Sequence, residues 1–360
     1  MMFKILYPRR IPEQRNPVFV IATLCLCGFW LFTLERNGAF KAGAQGFLVG
    51  IAVAVVPVAV YVPLALLVDR YEKEPRWMLT AAFFWGATVA SFLAPVLNSY
   101  LDTSSVTGAG VEELIKAAAL ILLFFWQRYE FDNVIDGMVY AAMIGLGFAM
   151  TENVHFYVDA WKNSSLWLVM AGRGILSPFS HPLFTAMTGI GLGVARETRN
   201  PRLKLAAALL GLGAAVLLHT AWNGFIVARM FPTAYVWIMA PLFGGMIGVV
   251  VREQARERKT IRTFLEPYVH RGHLTLAEVE TLCRNGGRLR ALWAAWQVGG
   301  MRALRREATF HQAATELAFH RWRTSRGISH GPEKDAGLEA EYLRQIAVNR
   351  VHRVAPSLSA

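Results

Sequence analysis

The chain has 360 residues, 54% of them hydrophobic and only 17% charged, with a mean hydropathy of +0.35. Soluble chains of this size carry about 25% charged residues; here the deficit is concentrated between Val18 and Val251, in apolar runs of about 16 to 23 residues that match a hydrocarbon core about 30 Å thick. A soluble enzyme, a disordered chain and a β-barrel of period-two strands are thereby excluded, and much of the formal charge of +12 falls after the last apolar run.

Lys4, Arg9, Arg10 and Arg15 precede the first run, which starts at Val18. That run is too long for a signal-peptide core, and the small-residue site Ala42-Gly43-Ala44 lies beyond Glu35, Arg36 and Lys41, so the run reads as an uncleaved first span. Cys25, Cys27 and Cys283 offer no disulfide framework. The predicted spans are 18–34, 46–68, 77–98, 111–126, 134–153, 179–195, 204–228 and 233–251. The apolar piece 166–178 is short and interrupted by Arg173 and Gly174, which predicts an interfacial or re-entrant segment anchored by Arg173. Asp136, near Asn133, reads as a helix-start cap.

Eight spans put both termini on one side. With the N-terminus inside, the inner segments before the tail carry 12 Lys and Arg against 4 in the outer loops, so the positive-inside rule selects N-in and C-in. Residues 252–360 hold 19 Lys and Arg against 11 Asp and Glu. Helical apolar spacing at 275–282, 289–296 and 308–322, with loops at 285–287 and 327–332, predicts a small helical cytoplasmic tail. The expected organisation is therefore an N-terminal cytoplasmic segment 1–17, a transmembrane domain 18–251 and a basic tail 252–360, all-α throughout.

Ionisable groups inside spans cost about 2.5–3.5 kcal/mol each on insertion scales and so ask for a reason. Besides Asp136, read as a cap, they are Glu112, Glu113 and Lys116, Glu152 with Asn153, His181, and His219 with Asn223. Following the spans, all four groups fall in the outer half of the bilayer. From His181 down to residue 195, and from 204 up to His219, the path is about 21–23 Å each way at 1.5 Å per residue, so the two histidines are level. Glu112 and Glu113 lie four and three residues before Lys116, on one helical face, and His219 and Asn223 share another. Two histidines and a carboxylate can hold Zn²⁺ with a position open for water. A carboxylate can equally activate water directly while His and Asn stabilise an oxyanion. Both give amide hydrolysis; a proton relay in a transporter is the competing use of the same groups.

Glu112-Glu113-Leu114-Ile115-Lys116 is similar to EExxK, Phe148-Ala149-Met150-Thr151-Glu152-Asn153 to FxxxEN, His181 with Phe184 and Gly189 to HxxFxxxxG, and His219 with Asn223 to HxxxN. In this order on successive helices they resemble the PrsW-type intramembrane proteases, distant relatives of the CAAX prenyl proteases, over about residues 50–250. The resemblance implies a bacterial plasma-membrane metalloprotease acting on a membrane-anchored protein, an anti-sigma factor in the best-known members, cut on its extracytoplasmic side. It implies Glu112 or Glu113 as general base, Lys116 as its electrostatic partner, Glu152, His181 and His219 as metal ligands or carbonyl-polarising groups, and Asn223 as oxyanion donor. The CAAX relatives have FxxxH where this chain has Phe148 and Glu152, so their ligand set does not transfer. Nucleic acid is not an expected partner. Two other classes stay open: a proton-coupled transporter, which should show an inverted repeat, and a scaffold or sensor acting through the basic tail.

Overall fold

The computed structural model describes residues 17–351, with side chains from Leu24 to Arg350; the expected cytoplasmic segment 1–17 lies outside it except for Pro17, as do residues 352–360. The fold is all-α, with no strand among the described residues. In chain order the main helices are α1 (Pro17–Arg36), α2 (Gly43–Val68), α3 (Arg76–Tyr100), α4 (Gly108–Trp126), α5 (Val134–Lys162), α6 (Ser180–Glu197), α7 (Pro201–Val227), α8 (Phe231–His270), α9 (Leu276–Cys283), α10 (Gly287–Ser325) and α11 (Pro332–Val351). Among the described residues two compact units form: 17–69 with 74–250, and 251–351 with 70–73; the boundary falls inside α8.

In the larger unit, α5 is the axis. It is apolar around its whole circumference, and such a helix belongs inside a bundle rather than on its rim; nearly all of it is buried. Asn133 starts it with a capping box, its side chain accepting from the backbone N–H of Ile135 and Asp136 while the Asp136 carboxylate accepts from the Asn133 N–H. Asp136 is thus the cap its sequence position predicts.

Glycines let neighbouring helices approach α5 backbone to backbone. Gly137 faces Gly189 of α6, where a β-carbon on either would sit 2.1 Å from the other's carbonyl oxygen, and Gly145 faces the His181–Pro182 linkage. Leu48, Val56 and Leu64 of α2 and Leu205, Leu210 and Leu217 of α7 point outward and exposed, the surface expected of helices in contact with lipid tails.

Among the described residues five helices are long and apolar enough to cross a membrane: Ala39–Val68, Arg76–Tyr100, Val134–Lys162, Pro201–Val227 and Phe231–His270. Predicted spans 111–126 and 179–195 are helices α4 and α6, but their own polar residues dilute them: Glu112, Glu113 and Lys116 in one, His181, Arg196 and Glu197 in the other. Three of these six belong to the sequence motifs of one helix and one to those of the other.

The smaller unit has its own core, built from Ile261, Leu265, Leu282, Phe310, Leu317 and Ile346, with Tyr71 among them. A buried ion pair joins Arg323 to Glu72, and Arg288 Nη1 donates to the Arg70 carbonyl at 2.8 Å. The loops expected at 285–287 and 327–332 separate α9 from α10 and α10 from α11.

Candidate active site

Four helices and one connecting segment bring the predicted residues together. On α4, Glu113 and Lys116 are fully buried, and Lys116 Nζ donates to Glu113 Oε1 at 2.9 Å. Burying a lone ammonium would be prohibitive; a carboxylate one turn away makes it tolerable. The same Nζ lies 3.3 Å from His181 Nδ1, 3.7 Å from Glu112 Oε2 and 3.7 Å from the centre of the Phe148 ring. The aromatic position of the FxxxEN motif therefore supplies a cation–π floor for the lysine.

His219 of α7 places Nδ1 2.9 Å from Glu113 Oε1, and Thr185 Oγ1 donates to Glu113 Oε2 at 2.9 Å. Glu113 is thereby enclosed on both oxygens. A hydrogen on Nδ1, toward that carboxylate, would leave the lone pair of His219 on Nε2. That atom lies 3.8 Å from Glu112 Oε2, a buried oxygen with no hydrogen-bond partner. Phe184 stacks on the His219 ring at 5.0 Å, and the His181 and His219 rings meet edge to face at 4.9 Å.

Glu152 of α5 is held from two sides. His181 Nε2 lies 2.9 Å from Glu152 Oε2, and the Arg173 guanidinium forms an ion pair with the same carboxylate. Arg173 Nε also donates to Asn153 Oδ1 at 2.7 Å, and its guanidinium lies 3.7 Å from the Phe156 ring centre. Arg173 belongs to the π-helical turn Met170–Leu176, inside the short apolar segment that the sequence singles out. A cavity of about 40 Å³ opens here, lined by Glu152, Asn153, Arg173, His181 and Asn223 among others. This is room for at least one water.

The structure brings six of the seven sequence-predicted residues into direct contact. The seventh, Asn223, lies on the cavity wall, where its Nδ2 donates to the Ser105 carbonyl at 3.0 Å. Glu112, His181 and His219 each offer one ligand atom within 4.8 Å of the others'. The resemblance implies Glu152 with the two histidines as metal ligands or carbonyl-polarising groups; Glu152 lies against His181 and Arg173, and Glu112 offers an oxygen within 4.8 Å of a nitrogen of both imidazoles. Two imidazoles and one carboxylate are donor types that suit a divalent ion such as Zn²⁺; in this structure the His181 nitrogens face Lys116 at 3.3 Å and Glu152 at 2.9 Å, and Glu112 Oε2 lies 3.7 Å from the Lys116 ammonium. Thr185 was not singled out from the sequence, although it follows His181 by four residues and so shares its face.

The profile described as PrsW family intramembrane metalloprotease matches residues 74–246. Protease PrsW of Oceanobacillus iheyensis is 30% identical over 200 residues, covering 49% of this chain and 88% of that protein. Protease PrsW of Bacillus subtilis is 24% identical over 216 residues, 57% of this chain and 95% of that one, and that of Geobacillus kaustophilus is 25% identical over 198 residues, 52% and 79% respectively. No solved structure matches the chain.

Proposed function

We propose that this chain, which belongs to the PrsW family of intramembrane metalloproteases, cuts a membrane-anchored regulator of the anti-sigma-factor kind near the extracytoplasmic face of a bacterial plasma membrane. Membership carries the reaction class, peptide-bond hydrolysis on a protein substrate in the membrane. The finer reading uses eight spans with both termini inside, which puts the motif residues in the outer half of the bilayer.

One observation carries the assignment of roles: Glu112 Oε2 and His219 Nε2 lie 3.8 Å apart, and with His181 they offer three ligand atoms within 4.8 Å of one another. Glu112, His181 and His219 would hold the metal. When bound, a divalent ion supplies Lewis-acid polarisation of the scissile carbonyl and acidifies a water at neutral pH.

The remaining residues act around those three. Glu113 fixes the tautomer and ring orientation of His219 through Nδ1, the carboxylate–histidine arrangement that raises ligand basicity. Lys116 balances Glu113, and Thr185 pins its second oxygen. Glu152 is the carboxylate on the water-sized cavity, so it accepts the proton of the attacking water and delivers it to the leaving nitrogen. Arg173 and Asn153 orient Glu152 for that exchange. Asn223, on the opposite wall, donates to the developing oxyanion once substrate draws its amide from Ser105.

The test is purified full-length protein in liposomes with a single-span substrate protein, the fragments mapped by mass spectrometry. The wild-type chain should cut once near one membrane face and Glu152→Gln should not. Undiminished cleavage by Glu152→Gln would remove Glu152 from the chemistry.

A further inference from the structure

The smaller unit carries a surface that the protease site does not use. The first arm of α10, residues 287–298, is a helix whose Leu289, Leu292, Trp293 and Trp296 follow the i, i+3, i+4, i+7 spacing of a single face. Core packing would hide that face, yet Leu289 is 64% exposed, Trp293 59% and Trp296 44%. The two indoles lie against each other with ring centres 4.8 Å apart. Tryptophan is highly buried on average, so two neighbouring exposed indoles on one stripe ask for a partner.

The arm ends at a hinge. Gly299 leaves helical geometry at φ −135°, and Gly300 takes φ +59°, ψ −148°, a conformation open in practice only to glycine. Beyond the hinge, residues 307–320 form part of the buried core of the unit, whereas Arg302, Arg305 and Arg306 are exposed at i, i+3, i+4 spacing on one face. Arg284 and Arg290 are exposed at the other end of the arm, and no Asp or Glu occurs between residues 281 and 306. An apolar stripe with an indole pair is thus bracketed by cationic side chains and free of anionic ones.

We infer that residues 287–306 form an interfacial foot that docks on a bilayer surface carrying anionic phospholipid headgroups. Indoles sit at the level of the headgroups because their bodies are apolar and their N–H is polar. Guanidinium groups pair with phosphate oxygens. The stripe is too narrow and too short to span, at about 18 Å for twelve residues, and so lies in the plane of the interface. The chain's own spanning helices tether the foot to a membrane, which raises its effective concentration at that surface.

The test uses the full chain in nanodiscs of phosphatidylcholine alone or of phosphatidylcholine with phosphatidylglycerol. A nitroxide at Leu289→Cys, in a chain with Cys25, Cys27 and Cys283 replaced by Ser, reports collisions with oxygen, which partitions into lipid, and with a water-soluble nickel chelate. The oxygen-to-nickel ratio should rise in the anionic discs and fall back in Trp293→Ser/Trp296→Ser. Each of Arg302→Gln, Arg305→Gln and Arg306→Gln should weaken docking about fivefold. Where the cysteine-free chain fails to fold, brominated anionic lipid should remove a larger share of the wild-type fluorescence than of Trp293→Phe/Trp296→Phe, whose nine other tryptophans set the background; equal shares overturn the proposal. Equal nickel access in both discs overturns the proposal. So does protection that appears only with added nucleic acid, or only with rising protein concentration in detergent.

Discussion

Glu113 and His219 stand 106 positions apart in the chain, yet His219 Nδ1 lies 2.9 Å from Glu113 Oε1 with both side chains essentially excluded from solvent. The contact makes the two motifs EExxK and HxxxN one unit. The proposed positioning of His219 by Glu113 predicts a particular signature for Glu113→Gln. The amide can present its Nε2 hydrogens to Nδ1 and invert the tautomer. Metal affinity should fall about 10–100-fold with the helices still inserted. Isothermal titration of the apoprotein with Zn²⁺ checks it, and unchanged affinity would mean that the contact only fills space.

Arg173 holds two partners at once, Glu152 through the end of its fork and Asn153 through Nε. A lysine has the charge but not the planar geometry, so Arg173→Lys should resemble Arg173→Ala rather than the wild type. Both should lower kcat about 10–100-fold with the bound-metal stoichiometry unchanged. Rescue by lysine would reduce the role of Arg173 to its charge alone.

Gly145 packs against the start of α6, where an added β-carbon would lie 2.6 Å from Pro182 N and 2.8 Å from the His181 carbonyl carbon. These are backbone atoms and cannot rotate away. Gly145→Ala should displace His181, destabilise the bundle by about 1–3 kcal/mol and depress activity further than abundance. Gly244→Ala on α8 meets nothing within 4 Å and is the matched control. Equal activity loss in the two variants would contradict this reading.

The smaller unit should lose stability under mild acid. Burial, helped by the neighbouring Arg323 charge, pushes the His320 pKa below its ordinary value of 6.5, and Nε2 lies 3.1 Å from the Asp335 carbonyl, to which it donates. With the folded value depressed, the unfolded chain takes up the proton first as the pH falls through 6.5, so the folded form is progressively disfavoured. Amide exchange in α10 and α11 should therefore quicken, relative to the intrinsic rates, between pH 7.5 and 5.5. His320→Gln should flatten that dependence. A dependence that survives the substitution would point to other groups.

Much of the site was legible because it uses short-range rules. Glu113 and Lys116 are readable as a pair from i, i+3 spacing, and Asn133 with Asp136 as a cap from the same kind of spacing. The level of His181 with His219 followed from counting helical rise. What was not legible depends on how helices rotate against one another. Gly137, Gly145 and Gly189 draw α5 and α6 together until His181 reaches both Lys116 and Glu152, and nothing in the one-dimensional pattern says which carboxylate then turns toward both imidazoles. The sequence marked Arg173 only as an anchor. Its partner Glu152 becomes visible when the 166–178 segment folds back beside α5. Likewise the stretches 289–296 and 308–322 read correctly as helical, while the Gly299–Gly300 bend between a bare arm and a buried one is a tertiary fact.

The division of labour between Glu112 and Glu152 is the centre of the account. Metal content and proteolysis measured side by side on Glu112→Gln and Glu152→Gln test it most directly. Glu112→Gln should lose both metal and cleavage, whereas Glu152→Gln should keep its metal at wild-type stoichiometry and lose only cleavage. The reverse pattern, metal lost with Glu152 and retained without Glu112, would contradict it.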